Sequence, residues 1–331
     1  MFLNFKRISD KVHEWSCDLE KIPVVGPVVR KSKTFTLPGM QGVPLYDVMR
    51  YFFSSMGKGI IFQRAGAMTY RIFVALIPML IAFFSVISYL GDGVHQAIMS
   101  MFESIVPVYA WSAVEGILSG MVMQHHGTLS ILMFIFGIYF TVLSCNALLA
   151  AMNISYYNDN RRNFLKQILL SMAIMVIVFF VLLVVVGAFV LASIAIRFIQ
   201  NNVSGSENLY VFLVHTVKWI LTYAAFYFLV SILYYLAPVN RKHYRFFSAG
   251  SSTCTVLMVL LLWVLNVYFS NFSNYNIIYG SLGALFAIIL WINWSSLIFL
   301  IGFDLNVSIA KAKQIFEIPN ALNADNKINN I

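Results

Sequence analysis

The stretch QILLSMAIMVIVFFVLLVVVGAFVLA, at residues 167–192, decides the fold class of this chain. It contains no Asp, Glu, Lys or Arg, and about 20 consecutive apolar residues are enough for a helix to cross the hydrocarbon core of a bilayer. Backbone N–H and C=O groups must satisfy one another in lipid, which favours a helix over an irregular segment. The stretch therefore predicts a transmembrane helix.

Similar apolar runs lie on both sides of this stretch. The alternating pattern of a transmembrane β-barrel is absent from them, and they fall near residues 70–90, 129–151, 213–236, 251–269 and 280–303. Composition agrees, since 60% of the 331 residues are hydrophobic and 11% are charged, whereas soluble domains are about 25% charged. We therefore predict an all-α, polytopic membrane bundle with six transmembrane helices.

The basic residues set the predicted orientation. Of the 22 Lys and Arg residues, 19 fall before the first span, in the second-to-third and fourth-to-fifth connections, or in the tail, whereas the outer loops hold Arg197 alone. Lys and Arg accumulate in cytoplasmic segments. We therefore expect a multi-pass protein of the bacterial inner membrane with both termini in the cytoplasm. The same pattern explains the net charge of +9, so nucleic acid is not an expected partner.

The chain divides into three predicted regions. Residues 1–55 form a cytoplasmic N-terminal arm, residues 56–310 carry the six spans, and residues 311–331 form a disordered cytoplasmic tail because they are polar. Within the arm, PLYDVMRYFFSSM at residues 44–56 predicts an amphipathic helix with Pro44 in its first turn. Two interpretations stay open: the helix lies at the inner membrane surface, or it packs on the cytoplasmic ends of the spans.

The first outer loop, residues 91–128, is long for a connection. It is expected to contain two helical pieces broken at Pro107. Four of its side chains could form an outer metal site, although an interfacial polar rim is their commoner role: His125, His126, Glu103 and Glu115. We therefore expect no metal there.

Signals for catalysis are weak throughout the chain. The six histidines form no HExxH or comparable metal motif. No GxSxG elbow, P-loop or strand-associated GxGxxG is present. The sequence therefore predicts neither an enzyme nor a bound cofactor.

Polar side chains inside the spans are the strongest functional signal, because intramembrane ionisable residues usually mark substrate pathways. Six of them lie toward the cytoplasmic side and could form one cluster: Arg64, Arg71, Asn146, Asn153, Asp304 and Asn306. We expect Arg71 to pair with Asp304, directly or through one polar residue, and to line a cavity open to the cytoplasm. For Arg64 two interpretations stay open, a place in this cluster or snorkelling to the inner headgroups.

The start of the final span is a second candidate site. It is formed by Tyr279, Gly280, Ser281 and Gly283. Small residues allow close helix packing, which is the favoured interpretation. The free N–H groups of a helix start also favour an anion such as a lipid phosphate, which is the alternative.

Two stretches resemble the YihY/virulence factor BrkB family. RAGAMTYRIFVALIPMLIAFFSVI, at residues 64–87, shows an Arg, small residues, an aromatic residue and a Pro two turns on. IYGSLGALFAIILWINWSSLIFLIGFDLN, at residues 278–306, resembles the family's final span at seven positions: Tyr279, Gly280, Ser281, Gly283, Trp291, Gly302 and Asn306. A further match covers Tyr235–Pro238. The resemblance extends over roughly residues 55–310.

Two positions depart from the family pattern. Arg71 stands where the family usually has an apolar or aromatic residue, and Asp304 stands where it usually has Glu. The N-terminal arm is also longer than the resemblance implies.

The resemblance implies a six-span inner-membrane protein that contributes to envelope integrity, serum resistance, or transport of lipids or small molecules. The family has also carried the label ribonuclease BN, which the residues do not support because they form no metal-ligand constellation and no soluble domain. We therefore predict a transporter or lipid-translocation protein for an anionic lipid or small molecule, with membrane lipids as partners. The alternative is a non-transporting envelope scaffold.

Overall fold

The computed structural model describes most of the chain from the end of the arm onward. Among the described residues the regular structure is helical, with no strand. The described residues are 35–36, 40, 42–56, 60–87, 99–100, 103, 115, 127–153, 162–202, 207–239, 244–271 and 281–328.

One short helix precedes six long ones. The short helix is α1, Leu45–Met56. The long helices are α2 Ile60–Ile87, α3 Gly127–Asn153, α4 Phe164–Asn202, α5 Glu207–Leu236, α6 Ala249–Asn271 and α7 Ser281–Ile328. The predicted outer-loop helices lie almost wholly outside the described residues, although Met99, Ser100, Glu103 and Glu115 are helical.

The length and hydropathy of the long helices confirm a polytopic membrane bundle. Five segments in the described part of the chain are long and apolar enough to cross a membrane: Phe134–Asn153, Phe164–Ile199, Tyr210–Leu236, Ala249–Tyr268 and Leu285–Ile315. α2 has 28 residues, about 42 Å at roughly 1.5 Å per residue. It is long enough to be the sixth span, which stays a prediction.

The six long helices close into a ring. Each helix packs against the next in the chain, and α7 packs against α2 and also contacts α3. This order brings the starts of α2, α4 and α6 and the ends of α3 and α5 to one end of the bundle, together with the second half of α7. We call it the basic end, because Arg162, Lys166 and Arg245 lie there.

A hydrophobic core fills the bundle near the basic end. Its largest fully buried side chains there include Leu149, Met152, Tyr234, Leu300 and Phe303. The faces of the helices that point away from the core expose large apolar side chains, such as Phe180, Val217 and Trp263, which are 66%, 62% and 66% exposed. Apolar surface on this scale is what helices present to lipid.

α6 and α7 approach each other closely at Gly250 and Gly302. A Cβ at Gly302 would lie 2.6 Å from the Tyr234 hydroxyl oxygen, 2.8 Å from the Gly250 carbonyl oxygen and 2.9 Å from Cys254 Cβ. A Cβ at Gly250 would overlap the Gly302 carbonyl oxygen. Small residues allow this approach. The expected packing contact at Gly283 stays a prediction, because its surroundings lie outside the described residues.

The arm helix α1 packs against the part of α7 that follows the buried core. Their shared cluster is Met40, Val43, Val48, Leu305, Ile309 and Ala312. Of the two interpretations of this helix, packing on the ends of the spans is therefore observed. The Phe53 side chain is 64% exposed, so an apolar edge of α1 stays uncovered by the described residues.

Residues 311–328 continue α7 as helix, where disorder was expected, and residues 329–331 lie outside the described residues. A helix that is already formed in the membrane lengthens at little cost, since the unfavourable nucleation step is past. The Ala and Lys residues beyond position 310 also favour helix.

Candidate functional site

A buried ion pair joins the first and last long helices at the basic end. Arg64 Nη1 lies 3.1 Å from Asp304 Oδ2 and 3.4 Å from Oδ1, and Arg64 Nη2 lies 3.4 Å from Oδ1. The two side chains are 6% and 1% exposed. Charges removed from water are costly unless they are paired and hydrogen-bonded. Each of these residues is therefore the counterion that the other requires.

The same guanidinium also binds a third helix. Arg64 Nε donates to the Ala151 carbonyl oxygen over 2.6 Å. Ala151 lies in the last turn of α3, where carbonyl groups lack intrahelical donors and the helix dipole favours a cation. Arg64 thus ties α2, α3 and α7 together through one side chain.

Asn306, two residues after Asp304, bonds in a different direction. Its Oδ1 accepts from the Gly250 N–H at 2.8 Å, and its Nδ2 donates to Ser248 Oγ at 2.7 Å. Gly250 is the second residue of α6, where N–H groups have no intrahelical acceptor. Asn306 of α7 therefore supplies the acceptor for a free N–H group at the start of α6. Ser248 caps the same helix locally, because its Oγ accepts from the Ser251 N–H.

A tyrosine fills the space between α5 and α7 near this pair. Tyr234 is 1% exposed, and its hydroxyl donates to the Phe299 carbonyl oxygen over 2.6 Å. Its ring meets Phe299 and Phe303 edge-on, with centroids 5.2 and 5.7 Å apart. In the connection that follows α5, burial raises the pKa of Tyr244, and the negative charge of Asp304 raises it further. Tyr234 and Tyr244 therefore both lie near the Asp304 carboxylate.

Arg162 closes the basic end on the α5 side. Its Nη2 donates to the carbonyl oxygens of Leu236 and Pro238, at 2.8 and 2.7 Å. Leu236 is the last residue of α5 and Pro238 lies two residues beyond it, so the cation completes the end of that helix. From the sequence, the basic residues of this connection predict only the orientation of the chain. Pro238, shortly after the apolar run of α5, indicates that the helix ends there and that its last carbonyl groups need a donor.

The predicted pair between Arg71 and Asp304 is wrong. The Asp304 carboxylate is bonded by Arg64, and the Arg71 side chain is exposed. The error came from the start of the first span, which was placed near residue 70, whereas α2 begins at Ile60. The additional helical residues put Arg64 level with Asp304 and move Arg71 about 10 Å along the axis.

The burial of Arg64 and Asp304 also contradicts two further expectations, the cavity open to the cytoplasm and the snorkelling of Arg64 to the headgroups. Arg64 and Asp304 are enclosed by protein, so neither reaches the headgroups nor lines a cavity open to water. Asn146 is half-buried, and two residues before it Ser144 Oγ donates to the Arg71 carbonyl oxygen at 2.9 Å. The structure therefore brings together part of the predicted cluster and leaves the rest deeper along α2 and α3.

Asn153, the last residue of α3, lies beside the carbonyl that Arg64 binds. Its Oδ1 is buried and has no hydrogen-bond partner in the described part of the chain. An unsatisfied acceptor at this position can receive a bond from a group that approaches Arg64.

The second predicted site is described only in part. α7 begins at Ser281, while Tyr279 and Gly280 lie outside the described residues, as do the side-chain surroundings of Gly283. Packing or anion binding there stays a prediction. Among the residues that the structure describes, no group of three His, Cys, Asp or Glu side chains is placed to hold a metal ion.

Comparison with known proteins gives a consistent family. YfkH of Bacillus subtilis, whose name describes it as ribonuclease-like, is 23% identical over 253 residues, which are 76% of this chain and 91% of YfkH. The UPF0761 membrane protein MS0032 of Mannheimia succiniciproducens is 24% identical over 277 residues, covering 80% of this chain and 90% of that protein. No solved structure gives a significant match. A family model described as virulence factor BrkB matches residues 52–327, and the chain therefore belongs to the BrkB family of membrane proteins.

Proposed function

We propose that this chain is a transporter or lipid-translocation protein of the bacterial inner membrane, and that its substrate carries a negative charge. The observation that carries the proposal is the buried Arg64–Asp304 pair. Replacing a buried ion pair with apolar residues is often neutral or stabilising, so such a pair is weak evidence for a purely structural role. Ionisable residues enclosed within spans are more often part of a substrate pathway.

The proposed mechanism is an exchange of counterions. An anionic group that binds Arg64 would compete with the Asp304 carboxylate for the two Nη groups. The Arg64 Nε bond to Ala151 can persist during this exchange, because it uses a different donor. The ion pair between α2 and α7 is then broken while Arg64 stays anchored to α3, which weakens the packing of these two helices at the basic end.

The proposed orientation puts the basic end in the cytoplasm. The cation-rich connections at that end support it, since positive charge accumulates on the cytoplasmic side. In this orientation the Arg64–Asp304 pair closes the cytoplasmic end in the resting conformation, and substrate binding unlocks it.

The test is a translocation assay with purified protein in liposomes. Fluorescent phosphatidylglycerol, or phosphatidylcholine as the neutral comparison, is placed in both leaflets, and dithionite bleaches the outer one. We expect more than half of the phosphatidylglycerol signal to be lost with the wild-type protein. The doubly apolar variant Arg64→Met with Asp304→Leu should bleach only the outer half.

Arg71→Gln is the matched control, because it removes an exposed arginine from the same helix. It should translocate like the wild type. A parallel assay follows efflux of a trapped small anionic dye. If wild-type and empty liposomes agree in both assays, the transport proposal fails.

The alternative is a non-transporting envelope scaffold. It is favoured by α1, which docks on α7 while exposing Phe53 and Met49, at 64% and 38%. A partner that covers this edge should be cross-linked by a photoreactive residue at position 53 in cells, and the cross-link should disappear when Phe53→Lys is combined with a probe at position 49. Recovery of lipid alone by the probe would argue against the scaffold.

We propose that the chain is not an enzyme, and we do not extend the ribonuclease-like name of YfkH to it. Nucleic-acid binding needs basic side chains that are free to meet phosphates. At the basic end, Arg64 and Arg162 are engaged with groups of the same chain, which leaves Lys166 and Arg245 as the exposed cations among the described residues there.

A further inference from the structure

A second intramembrane cation lies toward the end of the bundle opposite the basic end. Lys218 is in α5, within the apolar segment Tyr210–Leu236. It follows Tyr210 by eight residues, about 12 Å along the helix axis. An ammonium at this depth is costly unless it finds acceptors or reaches the interface.

Aromatic rings form one wall around this ammonium. Lys218 Nζ lies 4.5 Å from the centroid of the Phe189 ring and 5.5 Å from that of Trp219. Phe189, on α4, is 2% exposed and meets Trp219 edge-on with centroids 6.3 Å apart. Trp219 in turn stacks on Tyr223 at 5.7 Å. The rings hold the cation in place by cation–π attraction, but only from one side.

The remaining donors of Lys218 lack an anionic partner in the chain as described. An ammonium has three N–H donors, and ring faces are poor substitutes for oxygen acceptors. No carboxylate of the described residues pairs with Lys218, and the buried Asp304 is occupied by Arg64 at the basic end. The residue is half-buried, which leaves part of its side chain open to a ligand.

The direction of the side chain indicates where that ligand lies. Helical side chains lean toward the N-terminus of their helix. α5 begins at Glu207, at the end of the bundle opposite the basic end. Lys218 therefore extends from within the apolar region toward the headgroup level of that leaflet.

The surface around Lys218 fits acyl chains. On the same helix, Phe212, Val217 and Ile220 are 65%, 62% and 63% exposed. A phospholipid can place its chains along these side chains while its phosphate accepts from the ammonium. A headgroup without its own cation suits this position best, because a choline or ethanolamine would compete with Lys218 for the phosphate.

We infer that Lys218 and the Phe189–Trp219 wall bind the phosphate of an anionic phospholipid in the leaflet opposite the basic end. This site does not rest on the proposed transport activity, because binding is measured at equilibrium in the absence of translocation. A protein that fails to move lipid can still pass the binding test, and the two failures are therefore distinguishable.

The test measures lipid binding to the purified full-length chain by native mass spectrometry and by thermal shift. The ligands are phosphatidylglycerol, phosphatidylcholine and inorganic phosphate. We expect phosphatidylglycerol to bind the wild type and Lys218→Arg alike, and to bind Lys218→Gln about tenfold more weakly. Arg197→Gln removes an exposed positive charge from the same half of the molecule and should bind like the wild type.

Three outcomes would overturn the inference. Equal binding of phosphatidylglycerol to wild type and Lys218→Gln would show that the lysine is not the ligand-binding group. An equal loss in Arg197→Gln would show general charge attraction in place of a site. If inorganic phosphate raises the melting temperature and phosphatidylglycerol does not, the ligand of Lys218 is a free anion and not a lipid.

Discussion

Asp304 and Asn306 stand two residues apart on α7 and bond to opposite neighbours, Asp304 to Arg64 of α2 and Asn306 to Gly250 of α6. Positions separated by two residues lie about 200° apart around a helix. α7 is therefore fixed on both of its flanks at the same depth. The ring of helices closes at this level. Substitutions of Asp304 and Asn306 therefore separate how much the α2–α7 contact and the α6–α7 contact each contribute to stability.

The first prediction concerns the ion pair. Asp304→Asn should leave the buried Arg64 charge uncompensated and destabilise the protein by about 3–5 kcal/mol. The apolar pair Arg64→Met with Asp304→Leu should recover most of the lost thermal stability, measured by unfolding in detergent. The swap Arg64→Asp with Asp304→Arg should recover less, since the carboxylate cannot donate to Ala151. A single Asp304→Asn variant as stable as the wild type would contradict the assignment.

The second prediction concerns the contact between Asn306 of α7 and the start of α6. Asn306→Ala should remove the cap from Gly250 and the bond to Ser248, and should cost about 1–2 kcal/mol. Asn293→Ala is the comparison, because Asn293 is an exposed residue of α7 that bonds Thr69 at 3.2 Å. Its loss should be smaller. Equal melting temperatures for the two variants would show that Asn306 does not hold α6.

The third prediction tests the close approach of α6 and α7. Gly302→Ala and Gly250→Ala should each overpack the contact and destabilise the fold by about 1–3 kcal/mol. Gly66→Ala and Gly187→Ala are matched controls, because a Cβ at either position meets nothing within 4 Å. These controls should be neutral or stabilised by roughly 0.5–1 kcal/mol, since Ala is the better helix former. The readout is thermal stability of all four proteins in one detergent.

A fourth prediction follows from the same contact. Tyr234→Phe alone should cost about 0.5–1.5 kcal/mol, because it removes the buried bond to Phe299. In a Gly302→Ala background the same change should cost less or become favourable, since the hydroxyl is among the groups that the new methyl meets. Strict additivity in this double-mutant cycle would contradict the packing described here.

Topology gives the fifth prediction. A reporter fused after residue 331 should be active in the cytoplasm, and one inserted near Gln124 should be active on the other side. The reason is the concentration of basic residues at one end of the bundle. Activity of both fusions on one side would rule out the six-span arrangement.

The bundle could be predicted from the sequence because hydrophobic run length is a local property. The Arg64–Asp304 pair could not, because its atoms come from positions 240 residues apart. Hydropathy places a span boundary after a charged residue, and so α2 was expected to begin later than Ile60. Arg64 is accepted inside the helix only because Asp304 and the Ala151 carbonyl satisfy it, which is information held by other helices.

The two glycines illustrate the same limit. Gly302 lies in the stretch that resembles the family's final span, but its partner Gly250 is fixed only by the register of α6 against α7. Arg162 likewise looked like an ordinary basic residue of a connection, while its acceptors lie 74 and 76 residues further along the chain. Helix lengths follow from local sequence, whereas these contacts follow from how the ring closes.

The separation of Arg64 and Asp304 also has a consequence for biosynthesis. A chain that enters the membrane in order delivers Arg64 with the first helix, and its counterion arrives 240 residues later with the last. Until then the arginine lacks its counterion; the insertion penalty is about 2.5–3.5 kcal/mol at the centre of a span and smaller at a position near the start of α2, such as this one. A nascent chain truncated before α7 is therefore left with an unneutralised cation, and the synthesis of the final helix is the step that commits the protein to its folded state.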